Sequence, residues 1–476
     1  MHTQAEAQFF EGNRLLASED LAAAAECFRK ACALDPAFAE GWANLALVLD
    51  RCGDAAVAEH AYRQALATGC DAFELHLNFG ALLAAQMRFE EAEASYSKAM
   101  RIGSGSAALW SNLGALYLGM QEYEDALACL DRALELQSDH ASAKVNLAYL
   151  HLRNGDFAEG WRALEARNWY GPLAARMTCP RWHGEPLRGK SLLLADAVGH
   201  GDMIQFVRYV PLLKAMGVRH VALICHPALV ELMRSVAGLD AVCSTDHVPA
   251  NTEADYWSPL MSLPHYLQTR AHNIPVDIPY LKAEAARAAV WKLQLDPTAA
   301  QAGASVPLRV GLVWRGNPAF ENDAQRSIAD FELLTPLFAT EGVSFYSLQK
   351  GAAQDAPILL NAKRTQQGLL PYPVTTLVAQ LQDFADAAAA IEQLNLVITV
   401  DTAVAHLAGA LGVACWVLLP DYMADWRWGR TEGTSAVASP WYPNTMRLWR
   451  QSRGGSWPEV IATVAQALRE LTAKSP

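Results

Sequence analysis

Two hydrophobic rhythms divide the chain. In the front third the spacing is helical and repeats every 34 residues: Gly12, Ala46, Gly80, Gly114 and Ala148 lie one period apart. So do Ala24, Ala58, Ala92 and Ala126, and likewise Ala31, Ala65, Ala99 and Ala133. Phe28, Tyr62 and Tyr96 fill a further register, with Leu130 in the next repeat. Small residues at fixed places let two antiparallel helices approach closely, and an aromatic fills the gap to the neighbouring repeat. The pattern predicts stacked helix pairs. After Asn154-Gly155-Asp156 the fifth repeat degenerates into FAEGWRALEARNWY, whose Trp161, Trp169 and Tyr170 suit a cap docked on a following domain. Gly171-Pro172 then breaks the helix.

Beyond that point the rhythm changes to short, continuous apolar runs of the kind buried in a parallel sheet. The clearest is Leu396 to Val400, followed by Asp401 and Thr402, by Val404, Leu407, Ala408 and Leu411 at helical spacing, by Gly412, and by a second run, Val413 to Leu419. This predicts a βαβ unit with polar residues at the carboxyl end of its first strand, where open α/β sheets bind ligands. Helix-opening amides there favour an anion, although the dipole supplies only about 0.3–2 kcal/mol. The same residues fit an ordinary βαβ unit whose Asp401 caps a helix. An earlier unit reads SLLLADA, VGHGD, MIQFVRYVPLLKAM, RHVALIC. Gly199 and Gly201 allow close backbone approach to a ligand. Asp202 opens the helix, either as its N-cap or as a carboxylate that takes a proton from an acceptor hydroxyl; His200 is the alternative base.

Cations for a diphosphate are available at the other strand ends. Leu308 to Trp314 is followed by Arg315, Asn317 and Arg326; Val343 to Leu348 by Gln349 and Lys350; and Arg427 lies between two tryptophans. Arginine's planar fork suits phosphate oxygens, although each could instead pair locally, Arg326 with Asp323 for instance. No Asp-x-Asp motif is present to hold a divalent ion, so leaving-group charge would fall to arginine, lysine and helix N-termini, with no metal or other cofactor expected. Gly184 to Ser191, GEPLRGKS, matches a phosphate-loop pattern, but such a loop must follow a strand and open a helix. Here a Trp/Pro linker precedes it and a strand follows, which makes Lys190 a surface residue.

In the repeats, Asn44, Asn78, Asn112 and Asn146 share one register. A carboxamide donates and accepts, so a stacked row can pair with the backbone of an extended peptide; alternatively each Asn braces the next repeat. Charge agrees with a protein rather than a nucleic-acid partner: of the net −12, residues 1–170 carry 24 acids and 13 bases, or −11. Nine cysteines without a Cys-x-x-Cys pair suggest a reducing compartment. No apolar run nears the roughly 20 residues of a membrane span, and the helical repeat begins at the N-terminus, so a cytoplasmic protein without a signal peptide is expected.

The repeats match the tetratricopeptide pattern, with Trp42 and Trp110 at its tryptophan position, and the array resembles that of protein O-linked N-acetylglucosamine transferases, which carry such an asparagine ladder. The motifs GHGDMIQFVRYVPLL, VGLVWRGNP…ND…RS, SLQKG, VITVDTAVAHLAGALG and DWRW…WYP…RLWRQ resemble heptosyltransferase-type glycosyltransferases of family 9, in a repeat-fused branch. The resemblance implies a GT-B fold of two Rossmann-like domains: repeats over 1–170, an acceptor-side domain over 171–296, and a nucleotide-sugar domain over 297–476 closing on a terminal helix. It implies Asp202 as base. It sets Asp401, Thr402, Ala403 and His406 around the donor, with Arg326 or Lys350 as phosphate cation. Two positions depart from the family: Ala197-Val198 stands where Glu-Gln is usual, and Ala403 where glycine is. The expected activity is inverting, metal-independent transfer from a nucleotide sugar to a protein hydroxyl, flagellin or another secreted appendage protein being the candidate acceptor. The alternatives are a lipid-linked or polysaccharide acceptor, or a non-catalytic scaffold.

Overall fold

The computed structural model describes residues 2–195, 198–247, 254–295, 307–320, 322–351, 353–429 and 437–473. Ala197 and all but the last residue of the expected linker 296–307 lie outside these. The chain forms two compact units, Met1–Leu150 and His151–Pro476.

The first unit is an α-helical repeat superhelix. Its pairs are His2–Ala17 with Leu21–Leu34, Ala39–Arg51 with Ala55–Ala67, Phe73–Ala85 with Phe89–Ile102, and Ala107–Met120 with Tyr123–Leu136; Ala141–Asn154 begins a fifth. The glycine register has a direct cause. A Cβ on Gly12 would lie 2.6 Å from the Phe28 ring, one on Gly80 2.6 Å from the Tyr96 ring, and one on Gly114 2.6 Å from Leu130. The large residue therefore fills the gap left by the glycine of its own repeat as well as meeting its neighbour, as when Tyr62 stacks on Phe79 at 5.3 Å. Trp42 Nε1 donates to the Pro36 carbonyl and Trp110 Nε1 to that of Ser104, so each ties its helix to the preceding turn.

The second unit is α/β, with two sheets. Strands β1 (Ser191–Ala195), β2 (His220–Cys225), β3 (Ala241–Ser244) and β4 (Tyr256–Ser258) form a parallel sheet in the order β3-β2-β1-β4. The other sheet holds β5 (Leu308–Val313), β6 (Val343–Ser347), β7 (Val374–Thr376), β8 (Leu396–Val400), β9 (Cys415–Leu419), β10 (Val437–Ser439) and β11 (Tyr442–Arg450). Its order is β10-β11-β9-β8-β5-β6-β7, parallel except for the β10–β11 pair. The order reverses beside β1 in the first sheet and between β5 and β8 in the second, and such switch points open a crevice at the strands' carboxyl ends. β1, β8 and β9 are buried throughout, as continuous apolar runs demand.

Two expectations change. The single helix expected over MIQFVRYVPLLKAM has a tight 3₁₀ turn at Val207–Tyr209 between His200–Phe206 and Val210–Ala215, because Pro211 lacks an N–H and its ring crowds the preceding turn. The chain also divides before residue 151 rather than at 170, because the helix Phe157–Leu164 belongs to the α/β unit. Trp161, fully buried there, meets Trp426 at 5.3 Å, Phe206 at 6.1 Å and Trp441 at 6.3 Å edge-on. Among the described residues no helix is long and apolar enough to cross a membrane.

Candidate functional site

The helices that leave β1 and β8 meet at their first turns. A Cβ on Gly201 would lie 2.9 Å from His406 Cδ2 and 3.5 Å from the Ala403 Cα, so only glycine lets these two turns touch. Gly199, not Asp202, is the residue before the first of these helices. Asp202 is its third residue, and one carboxylate oxygen accepts the Gly199 amide at 3.1 Å while the other accepts Arg427 Nη2. The N-cap expectation is corrected in this sense: from inside the helix the carboxylate satisfies an end amide with one oxygen and pairs with Arg427 through the other.

Arg427 ties the two sheets together. Its buried guanidinium donates through Nη1 to both Asp425 oxygens at 2.9 and 3.0 Å, through Nη2 to Asp202 and through Nε to Gln205 Oε1, with the Trp426 ring 4.4 Å away. Gln205 is fully buried and its Nε2 has no partner among the described residues.

Three carboxylates thus share this region with two arginines. Burial pushes the Asp401 carboxyl up to about 6; the Asp425 charge adds to that, and Arg326 and Arg427 oppose it. Burial likewise raises Asp202, with Arg427 pulling it back and Asp425 pushing it further up. His406 is buried, its Nδ1 lies 3.1 Å from the Tyr442 hydroxyl, and its ring stacks on Trp428 at 5.2 Å. Burial, then the Arg427 and Arg208 charges, hold it well below the usual imidazole range, so it is neutral at pH 7.

Neither Asp401 nor Thr402 caps the helix Ala403–Leu411. Thr402 is its N-cap residue but turns its hydroxyl to Thr399 at 3.0 Å, leaving the Ala403 and Val404 amides without an acceptor among the described residues. Gly412 ends the helix in the left-handed region, as expected.

The other expected donor residues divide. Half-buried Arg315 makes no side-chain hydrogen bond or ion pair among the described residues. Arg326 pairs with Asp323 at 3.1 Å, the local pairing its spacing allowed, and still influences Asp401. Asn317 accepts the Ala319 amide at 3.0 Å in a surface turn. Gln349 is buried and spends its amide on backbone: it accepts from the Trp314 and Arg315 amides and donates to the Arg315 and Lys350 carbonyls, fixing the loop after β5. Lys350 Nζ donates to the Leu381 carbonyl at 2.6 Å. His200 lies edge-on to His226 at 4.6 Å and 5.1 Å from Phe384, and burial followed by the His226 charge lowers its pKa. Lys190 is exposed beside Asp255 at 3.1 Å, and Ser191 opens β1, so GEPLRGKS is no phosphate loop.

In the repeat unit all four ladder asparagines are half-buried. Asn44 Nδ2 donates to Asn13 Oδ1 at 2.7 Å, and Asn112 hydrogen-bonds the Tyr96 hydroxyl. Bracing between helices therefore occupies part of the capacity of two of them.

Asp425, Gln205, Arg208 and Tyr442 were not singled out by sequence. Buried Arg208 pairs with no carboxylate among the described residues: it donates to the Gln205, Pro275 and Trp441 carbonyls and to the Tyr280 hydroxyl, which lies 3.2 Å from that of Tyr442. The available signal was the pair of polar residues, Gln205 and Arg208, on the otherwise apolar run MIQFVRYV.

The tetratricopeptide repeat family matches residues 107–140 and 46–107. Protein FlbA of Caulobacter vibrioides is 29% identical over 339 residues, covering 67% of this chain and 53% of FlbA. An alignment of that length cannot be confined to Met1–Leu150, so it reaches into the α/β unit. This chain spans about half the length of that relative. Similar solved structures include pilF of Pseudomonas aeruginosa, at 24% identity over 34% of this chain and 75% of that one, TM-score 0.31. YrrB, described as having an unusual peptide-binding site, is 18% identical over 36% of this chain and 90% of its own, TM-score 0.30. The chain thus combines tetratricopeptide repeats with a distinct α/β unit.

Proposed function

We propose that the α/β unit is a GT-B-like glycosyltransferase and that the repeats recruit a polypeptide acceptor. One observation carries this reading: a carboxylate from the crevice of one sheet, Asp202, and the amides of Ala403 and Val404 from the crevice of the other, which have no acceptor among the described residues, belong to helix turns that touch. The second sheet's order from β7 to β11, with β5 and β8 flanking the reversal, is that of a doubly wound nucleotide-binding sheet, which supports a Rossmann-like donor side. In the proposed reaction Asp202 takes the proton of an acceptor hydroxyl as its oxygen bonds to the anomeric carbon from the face opposite the diphosphate. The bond from that carbon to the diphosphate oxygen breaks, and configuration inverts. The two amides and Arg315 stabilise the departing charge. Neutral His406 can hydrogen-bond the donor without adding charge. The ladder Asn44, Asn78, Asn112 and Asn146 would hold the acceptor's backbone, and flagellin or another secreted appendage protein fits that use.

A second reading has its own support. Arg326, Lys350 and Arg427 are each engaged by protein partners, as a scaffold that no longer binds a diphosphate would allow. Intact-mass analysis of flagellin and other surface proteins, from cells with the intact gene, without it, or with D202N, tests the proposal. A sugar-sized mass increment present only with the intact gene is expected; identical masses in all three would overturn protein glycosylation. Transfer to a glycan acceptor that survives deletion of residues 1–150 would instead assign the repeats to assembly.

A further inference from the structure

We propose that Arg427 is a positioning residue for Asp202, holding the base at the junction of the two sheets and setting its basicity through a shared pairing with Asp425. The inference rests on the glycosyltransferase reading, since it concerns that reaction's base.

Asp202 has two oxygens. One is held by the Gly199 amide of its own helix end, and the other by Arg427 Nη2. Arg427 cannot be treated as a loose surface cation, because its remaining donors go to both oxygens of Asp425 and to buried Gln205. Gln205 is one turn from Asp202 on the same helix. The guanidinium therefore grips that helix at two places and the Trp426–Trp428 turn at a third. A lysine has no planar fork and could not make the three contacts together.

The division of one cation between two carboxylates decides how strongly Asp202 holds a proton. Buried without Arg427, Asp202 would face Asp425 with no cation paired to it and would stay protonated to higher pH. With Arg427 undivided, it would lose its proton more readily. The charged groups that act on Asp202 are Arg427 and Asp425, both from the turn after β9, while Asp401 beside β8 acts on the same Arg427. Of these, Arg427 and Asp425 act on Asp202 directly and with opposite sign.

The test is a carboxyl-carbon NMR titration of the full chain labelled with 13C at the aspartate side-chain carboxyl, the Asp202 resonance being assigned by its loss in D202N. In R427Q its midpoint should move up by about one pH unit or more, and in D425N it should move down. Midpoints unmoved in both variants, or moved in the same direction, would overturn the proposal. Should R427Q fail to fold, D425N decides alone: a downward shift supports the coupling and an unchanged midpoint refutes it. Hydrolysis of UDP-N-acetylglucosamine, GDP-mannose and CMP-sialic acid by D202N separates this outcome from the underlying reading. Wild-type turnover in D202N would remove Asp202 as base whatever the titration shows.

Discussion

At the scale of single residues, the site stores electrostatic strain in Asp401. Its folded-state pKa, about 6, lies above the ordinary carboxyl value of roughly 3.9. The folded protein therefore binds that proton more tightly than the unfolded chain. The associated stability is fully present below about pH 4 and is lost as pH rises through 6. Denaturant unfolding at pH 4 and pH 7 should show the wild type losing on the order of 1–3 kcal/mol more than D401N across that interval. Equal pH dependence in the two proteins would contradict the assignment. Tyr442→Phe takes the hydroxyl from between His406 Nδ1 and the Tyr280 hydroxyl, and should cost about 1–3 kcal/mol in the same assay.

Some residues were legible before the structure and others were not, for physical reasons. Gly12, Gly80 and Gly114 announced themselves because one steric need, room for a ring or branched side chain, recurs every 34 residues. Asp401 directly follows the buried strand β8, and Asp202 opens the helix after β1, so a polar residue at the carboxyl end of a strand marked both as crevice candidates. Gln205 and Tyr442 were hidden because their roles depend on partners far away in the chain: Arg427 and Gln205 are 222 residues apart, and the Tyr442 and Tyr280 hydroxyls 162. The same distance dependence explains Arg427 itself. As a residue type it suited a phosphate; Asp425 stands two residues before it, and only the fold brought Asp202 to it.

Elements carry the geometry. The contact between the helices His200–Phe206 and Ala403–Leu411 requires a missing side chain at Gly201, and the opposing His406 ring is fixed by Tyr442 and Trp428. Gly201→Ala should cost about 1–3 kcal/mol by overpacking and reduce transfer, while Gly171→Ala, with open space around it, should stay within about 0.5 kcal/mol. Thermal denaturation of the two variants makes the comparison. The helix Phe157–Leu164 is anchored by Trp161 in a nest of aromatics, so Trp161→Ala should cost about 3–5 kcal/mol. The aromatic composition of FAEGWRALEARNWY made a cap predictable; its membership of the α/β unit was not, because helical spacing alone does not say which neighbour buries the ring.

Over the whole molecule, the chain divides at Leu150 into a repeat unit and an α/β unit. Residues 151–476 retain Trp161 and should stay folded and bind donor, whereas a chain beginning at 171 loses that anchor and should aggregate or melt markedly lower. Size-exclusion and melting measurements on the two truncations check this. The most direct test of the central claim, that Asp202 and the 403–411 helix end form one transfer site, is to compare wild type and D202N with a panel of UDP-, GDP-, CMP- and ADP-sugars, measuring binding by calorimetry and turnover by nucleotide release. The account predicts that one nucleotide sugar binds both proteins with similar Kd and that D202N turns it over about 10²–10⁴-fold more slowly. No binding to the wild type, or equal turnover by D202N, would contradict it.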